Sequence, residues 1–322
     1  MRSCRWLYDG KTSGYKASKL ISIWEILLLN SSFLLSEGKN LTVWKCRSIF
    51  LNLTNICNVR CKKCITFRVI RKRGELSKDM LFSIFHLLQV HQFNGIVRCG
   101  LGENLIYSYL DDLINYVYEN TVNYRIDLLT NGLAFPLDKE SYYSNKKIRW
   151  GVTLDGMTQS DIQGLQSGLD VELVKKNLYQ IKLKYPACNM YLNYTLTNKN
   201  LGHLPEFIRM AVELNIEQIY VTPLKIFKNH HTDFLSKYIP DLFLSSTMSI
   251  FSKIRDLADQ NGIRLHLPGT FQAIPCSISG NYSPIIDIDG MVSFCSGQEN
   301  IRIGNITDYN IAAIWEIGRA HV

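Results

Sequence analysis

From residue 48 to about residue 260 the sequence alternates short β-like runs with longer stretches whose apolar residues recur at helical spacing. The runs "SIFLNLT" (48–54), "GIVRCG" (95–100), "YRIDLLTNG" (124–132), "KIRWGVTLDG" (147–156), "MYLNYTLT" (190–197) and "IEQIYVTPL" (216–224) read as strands. Between them, Met80, Leu81, Ile84, Phe85 and Leu88 form one helical stripe behind a capping Ser77, and Leu110, Leu113, Ile114 and Val117 form a second. Asp170 opens a third helix with Val171, Val174, Leu178, Ile181 and Tyr185 on one face, and further helices are expected around 204–214 and 241–260. Strand–helix–strand units cross over right-handedly into a parallel sheet. The expected fold class is α/β, a partial (β/α)6 TIM-type barrel over residues 48–269, with an open doubly wound sheet as the alternative. Both place functional groups at the carboxyl ends of the strands.

Two segments break this rhythm. The most apolar one, "LISIWEILLLNSSFLLS" (20–36), is interrupted by Glu25, Asn30 and several serines. It is too short and too polar to span a bilayer, and residues 1–47 are expected to be a helical N-terminal extension. Beyond about 270, "SPIIDIDGMVSFC" (283–295) reads as two short β runs joined by the hairpin signal Asp289-Gly290. Residues 270–322 are therefore expected to be a small, separate α+β module. A composition of 46% hydrophobic and 20% charged residues excludes extensive disorder. The net charge of +8 permits an acidic partner, but no basic block with interleaved aromatics marks a nucleic-acid surface.

The nine cysteines are an odd number with one tight cluster, unlike the framework of a small secreted disulfide protein, and a reducing cytoplasm is the expected compartment. Cys57, Cys61 and Cys64 stand in the spacing C-x3-C-x2-C directly after the first β-like run. Soft thiolates suit iron–sulfur clusters and zinc. A structural zinc wants four protein ligands, and Cys99 at the end of the second run is the candidate for the fourth. A [4Fe–4S] cluster held by three cysteines instead leaves one iron open to a small molecule. Three incidental thiols are the bland reading.

The segment "LTNICNVRC" and the cysteine spacing that it begins resemble the radical S-adenosylmethionine (radical SAM) superfamily. In that family the open iron is chelated by SAM, whose reductive cleavage yields a 5′-deoxyadenosyl radical that abstracts hydrogen from the substrate. "RCGLGENLI" (98–106) resembles the glycine-rich segment that holds the SAM amino group. The resemblance implies SAM contacts for Gly100, Gly102 and Glu103. "LLTNG" (128–132) and "VTLDGMTQSDIQGLQSG" (152–168) fall in the order the family has, which implies SAM contacts for Thr153 and Gln166. Three positions depart from the pattern: Lys63 replaces an aromatic or histidine, Asn104 a proline, and Gln166 an arginine.

Cys276 and Cys295 with Gly290 between them, followed by "IRIGNITDYNIAAIWEIG" (301–318), resemble the opening of the SPASM/Twitch modules that carry auxiliary [4Fe–4S] clusters. No cysteine follows 295, and the module is expected to be incomplete. The resemblance implies an enzyme acting on a peptide or a small molecule. Arg60, Lys62, Lys63, Arg68, Arg71, Lys72 and Arg73 flank the cysteine loop; a solvated basic surface is the bland reading, and docking of an acidic electron donor of flavodoxin or ferredoxin type is the functional one. The competing class is a non-catalytic metal-binding scaffold, either a degenerate relative or a zinc protein.

Overall fold

The computed structural model describes residues 48–64, 73–225, 232–242, 244–268, 283–293 and 302–308. The chain divides into two compact units, residues 1–45 and 46–322, and every described residue lies in the second. The expected N-terminal extension, the basic residues Arg68, Arg71 and Lys72, and both Cys276 and Cys295 lie outside the described residues.

In chain order, β1 (Ser48–Leu51) is followed by β2 (Arg60–Cys61), α1 (Lys78–Val90), β3 (Ile96–Cys99), α2 (Leu110–Glu119), β4 (Arg125–Thr130) and the short α3 (Ser141–Ser144). Next come β5 (Ile148–Thr153), α4 (Gln159–Ile162), β6 (Gln166–Ser167), α5 (Val171–Lys184), β7 (Met190–Leu196), α6 (Leu204–Glu213) and β8 (Gln218–Pro223). The order continues with α7 (Thr232–Leu235), α8 (Ser245–Gln260), β9 (Arg264–His266), β10 (Ile285–Ile286), β11 (Met291–Ser293) and β12 (Arg302–Asn305).

Ten strands form one sheet in the order β12-β11-β10-β1-β3-β4-β5-β7-β8-β9. From β10 to β9 every neighbouring pair is parallel, while β11 and β12 are antiparallel. The expected α/β class with a mostly parallel sheet is thus present, as an open run of strands rather than a closed barrel. All six expected strands occur, and β9 adds a seventh that its three largely exposed residues did not advertise. The caps act as anticipated: Ser77 Oγ accepts from the Met80 N–H at 3.3 Å, and Asp170 Oδ1 from the Leu173 N–H at 3.0 Å.

The hairpin around Asp289-Gly290 forms, with Gly290 at φ +76° where a side chain would be strained. It is not detached from the sheet. Ile285 and Ile286 pair with Phe50 and Leu51 of β1, so the described part of the C-terminal segment continues the main sheet.

Strand alternation sorts the residues by face. Val97, Ile126, Leu128, Trp150, Val152 and Leu192 are fully buried in the apolar layer on one face. Trp150 stacks on Tyr142 of α3 at 5.9 Å between centroids and donates its Nε1–H to the Tyr142 carbonyl. Burying each such side chain stabilises the fold by about 1.5–3 kcal/mol. The opposite face is polar. Arg149 pairs with Asp127, its register partner on β4, through Nε–Oδ1 at 3.0 Å and Nη2–Oδ2 at 2.6 Å, and donates to Gln218 Oε1 of β8 at 2.7 Å. Among the described residues no helix is long and apolar enough to cross a membrane; the apolar segment 20–36 lies outside them.

Candidate functional site

A cavity of about 390 Å³ opens at the carboxyl ends of the parallel strands. Cys57, Cys61 and Cys64 line it together with Glu103, Asn131, Thr153 and Gln166, residues far apart in sequence that the crossovers bring to one end of the sheet. Its size falls in the range of small-molecule sites, roughly 300–1,000 Å³.

The cysteine loop is anchored by backbone. Leaving β1, the Leu53 carbonyl accepts from the Leu76 N–H at 2.8 Å, and Asn55 Oδ1 accepts from the Gly74 N–H at 2.9 Å. Arg60 and Cys61 then pair antiparallel with Ser167 and Gln166, and the Lys62 N–H donates to the Leu165 carbonyl at 2.7 Å. Cys61 is thereby fixed against Gln166, which donates its Nε2–H to Cys61 Sγ at 3.6 Å. Cys57 Sγ accepts from the Val59 N–H at 3.5 Å and from Asn131 Nδ2 at 3.9 Å. Burial, above all, pushes the Cys57 thiol up and the Cys61 thiol up to about 12. Without a metal both thiols are neutral at physiological pH, and ligating a cation would displace their protons. Among the described residues no three His, Cys, Asp or Glu side chains are gathered closely enough to register as a metal site.

The glycine-rich turn after β3 is locked to this loop. Gly102 has φ +109°, and a Cβ there would overlap the carbonyl oxygens of Thr54 and Ile56. The Ile56 carbonyl also accepts from the Glu103 N–H at 2.8 Å. Glu103 is 1% exposed, and burial raises its pKa. Its Oε1 accepts from the Leu105 N–H at 3.0 Å and its Oε2 from the Asn131 N–H at 2.7 Å. Gly100 sits deeper, where a Cβ would meet the Leu129 side chain at 3.1 Å, and is not among the residues lining the cavity. Asn104, where the family pattern has proline, donates to the strand-end carbonyls of Cys99 and Leu129 at 3.0 and 2.6 Å, tying β3 to β4.

Lys63 corrects the reading of its position. Its place in the basic flank implies a solvated side chain, yet that side chain is 13% exposed and turned inward into an ion pair with the buried Asp155 and a hydrogen bond to Thr195 Oγ1 at 2.6 Å. Lys62 lies over the Phe234 ring at 4.3 Å. Cys99, the candidate fourth ligand, is fully buried and does not line the cavity. Asn131, Asp155 and Thr195 were not singled out from the sequence. Asn131 lies within "LLTNG", and that match was the one local sign of it.

No protein-family model matches this sequence. An uncharacterized protein of Methanocaldococcus jannaschii is 26% identical over 284 residues, covering 82% of this chain and 90% of the relative. Among solved structures, Streptococcus suis SuiB bound to precursor peptide SuiA superposes with a TM-score of 0.67 at 14% identity, over 97% of this chain and 74% of that one. SuiB bound to S-adenosylmethionine gives 0.66 at 16% identity, over 91% and 70%. Native anSMEcpe with bound AdoMet gives 0.65 at 16% identity, over 85% and 82%. At these identities the likeness is one of fold, and it extends over most of each chain.

Proposed function

We propose that this chain is a radical SAM enzyme in which Cys57, Cys61 and Cys64 hold a [4Fe–4S] cluster, SAM occupies the adjoining cavity, and the substrate is a peptide. The observation that carries the reading is that three thiols and the buried Glu103 line one cavity at the strand ends. The donor set fits such a cluster: the ligands are soft, and N–H groups of Val59, Asn131 and Gln166 face two of the sulfurs. When bound, the cluster and SAM would supply an electron and a 5′-deoxyadenosyl radical for hydrogen abstraction.

The chain's own residues bind and orient. Glu103 accepts the ammonium of SAM at the cavity wall, Gly102 and Gly100 keep the turn free of side chains, and Thr153 offers a hydroxyl. Solved relatives of this fold bind S-adenosylmethionine and, in SuiB, a precursor peptide, which supports both ligand classes. An acidic flavodoxin- or ferredoxin-type donor would meet the loop at Arg60, Lys62 and Arg73. The reading places the enzyme in a reducing cytoplasm. It also takes residues 270–322 as a SPASM/Twitch-like module in which Cys276 and Cys295 contribute to an auxiliary cluster.

One observation favours a second reading, a cluster-binding relative that does not turn over. Gln166 stands where the family has an arginine, brings no charge, and has its amide on the Cys61 sulfur. Anaerobic reconstitution with iron and sulfide, then reduction with dithionite in the presence of SAM, separates the two. Formation of 5′-deoxyadenosine that is lost in Cys61→Ala supports the enzyme. An intact [4Fe–4S] signal without cleavage supports the inert relative, and one zinc with no iron overturns both.

A further inference from the structure

Behind the cysteine wall lies a second void, of about 10 Å³, between the cysteine loop, the turn after β5 and the end of β7. A single water needs on the order of 10–15 Å³ of such space and two to four polar partners. Two side-chain atoms among its lining residues are buried with no hydrogen-bond partner: Gln166 Oε1 and Thr197 Oγ1. The residues carrying them are 8% and 1% exposed.

Their neighbours are bonded elsewhere and make a hydrogen bond with neither atom. Asn200 gives both amide protons to the carbonyls of Asp155 and Thr195, and its Oδ1 accepts from the Thr197 N–H. Asp161 accepts from the Met157 and Thr158 N–H groups and pairs with His203. Lys63 also lines the void, and its bonds to Asp155 and Thr195 use two of three ammonium protons. One ammonium donor, one amide acceptor and the hydroxyls of Thr195 and Thr197 therefore share a water-sized space.

We propose that this void is a one-water site. The water donates to Gln166 Oε1, accepts from the Lys63 ammonium and exchanges a hydrogen bond with the Thr197 hydroxyl. It also fixes which way the Gln166 amide faces. A metal-bound thiolate can only accept, so the N–H must lie on Cys61 Sγ and the carbonyl oxygen must turn away from it. An oxygen left dry there would keep the full desolvation penalty of an unsatisfied buried acceptor, and the water removes it. Thr197 is thus a positioning residue that acts on the Cys61 sulfur through the water and Gln166. This second half rests on the reading of Cys61 as a cluster ligand, whereas the water site itself does not.

The test uses the full chain, crystallised without metal and, separately, reconstituted. High-resolution density of the wild type is expected to hold a peak at hydrogen-bond distance from both Gln166 Oε1 and Thr197 Oγ1, and that peak should vanish or move in Thr197→Val. N–H···S bonds favour the reduced cluster, so the midpoint potential should become more negative in Thr197→Val and in Gln166→Met, while Thr197→Ser stays at the wild-type value. Should Thr197→Val not fold, Gln166→Met and the wild-type density carry the comparison. An empty void in the wild type overturns the water site. A potential unmoved in Thr197→Val after loss of the peak overturns the positioning role. If no cluster assembles in the wild type, the proposed function fails while the density still decides the water.

Discussion

Glu103 and Asn131, just beyond the ends of β3 and β4, meet directly: the Asn131 backbone N–H donates to Glu103 Oε2 at 2.7 Å. The carboxyl that this contact orients on the cavity wall is almost wholly buried, and burial raises its pKa above the ordinary 4.5. A carboxyl with a raised native pKa binds its proton more tightly in the folded state. Its contribution to stability is therefore full below the unfolded value and is lost as pH rises through the folded value. Urea midpoints of the metal-free chain should fall with rising pH from about 4.5 upward, relative to those of Glu103→Gln. A wild-type-minus-variant difference that stays flat or grows with pH would contradict the buried-carboxyl account.

Gly102 is held where no other residue fits. Its φ of +109° and the carbonyls of Thr54 and Ile56 leave no room for a methyl group. Gly102→Ala should cost about 2–4 kcal/mol, because the clash is with backbone and cannot be relieved by rotating a side chain. The control is Gly202, where a Cβ would meet nothing within 4 Å, and Gly202→Ala should change stability by less than about 1 kcal/mol. Denaturant titrations of the two variants side by side would check this.

The pair inside the sheet offers a second stability test. Arg149 is 9% exposed at its side chain and Asp127 1%, so replacing Arg149 with Met takes from a buried carboxylate its bidentate, buried partner, at a cost of about 3 kcal/mol. Arg125 also reaches Asp127, at 3.0 Å, but its side chain is 36% exposed and solvent screens the pair. Arg125→Met should cost no more than about 1 kcal/mol. Similar losses in the two variants would show that Arg149 is not the main partner.

The sequence carried those features whose cause is local. Helical stripes behind Ser77 and Asp170 are set by neighbours within a few residues, and so is the glycine turn that brings Glu103 to the strand end. The spacing of Cys57, Cys61 and Cys64 is local too, which is why these residues could be read directly. What escaped depends on which strands become neighbours. The pairing of β10 with β1 joins segments 235 residues apart, as in the Asn52–Asp287 hydrogen bond, and leaves no trace in either segment alone. The inward turn of Lys63 needs Asp155, 92 residues away, and Thr195, 132 residues away. Its position between two cysteines in a basic run pointed instead to a solvated surface.

That inward turn makes Lys63 a residue whose removal should be repaired by removing its partner. Asp155 is 6% exposed at its side chain, with Oδ1 accepting from the Thr195 N–H at 2.6 Å and Oδ2 facing the ammonium. In the metal-free chain Lys63→Met should cost about 3 kcal/mol or more, chiefly because a buried carboxylate loses its counter-charge. Asp155→Asn alone leaves an ammonium in the same wall and should also destabilise. Combining the two removes both charges, while the amide oxygen introduced by Asp155→Asn keeps the hydrogen bond from the Thr195 N–H. The double variant should therefore be more stable than Lys63→Met alone, with a coupling of about 1–3 kcal/mol in the double-mutant cycle. Strictly additive losses would mean that Lys63 and Asp155 act independently and that the ion pair does not hold the cysteine loop to β5 and β7.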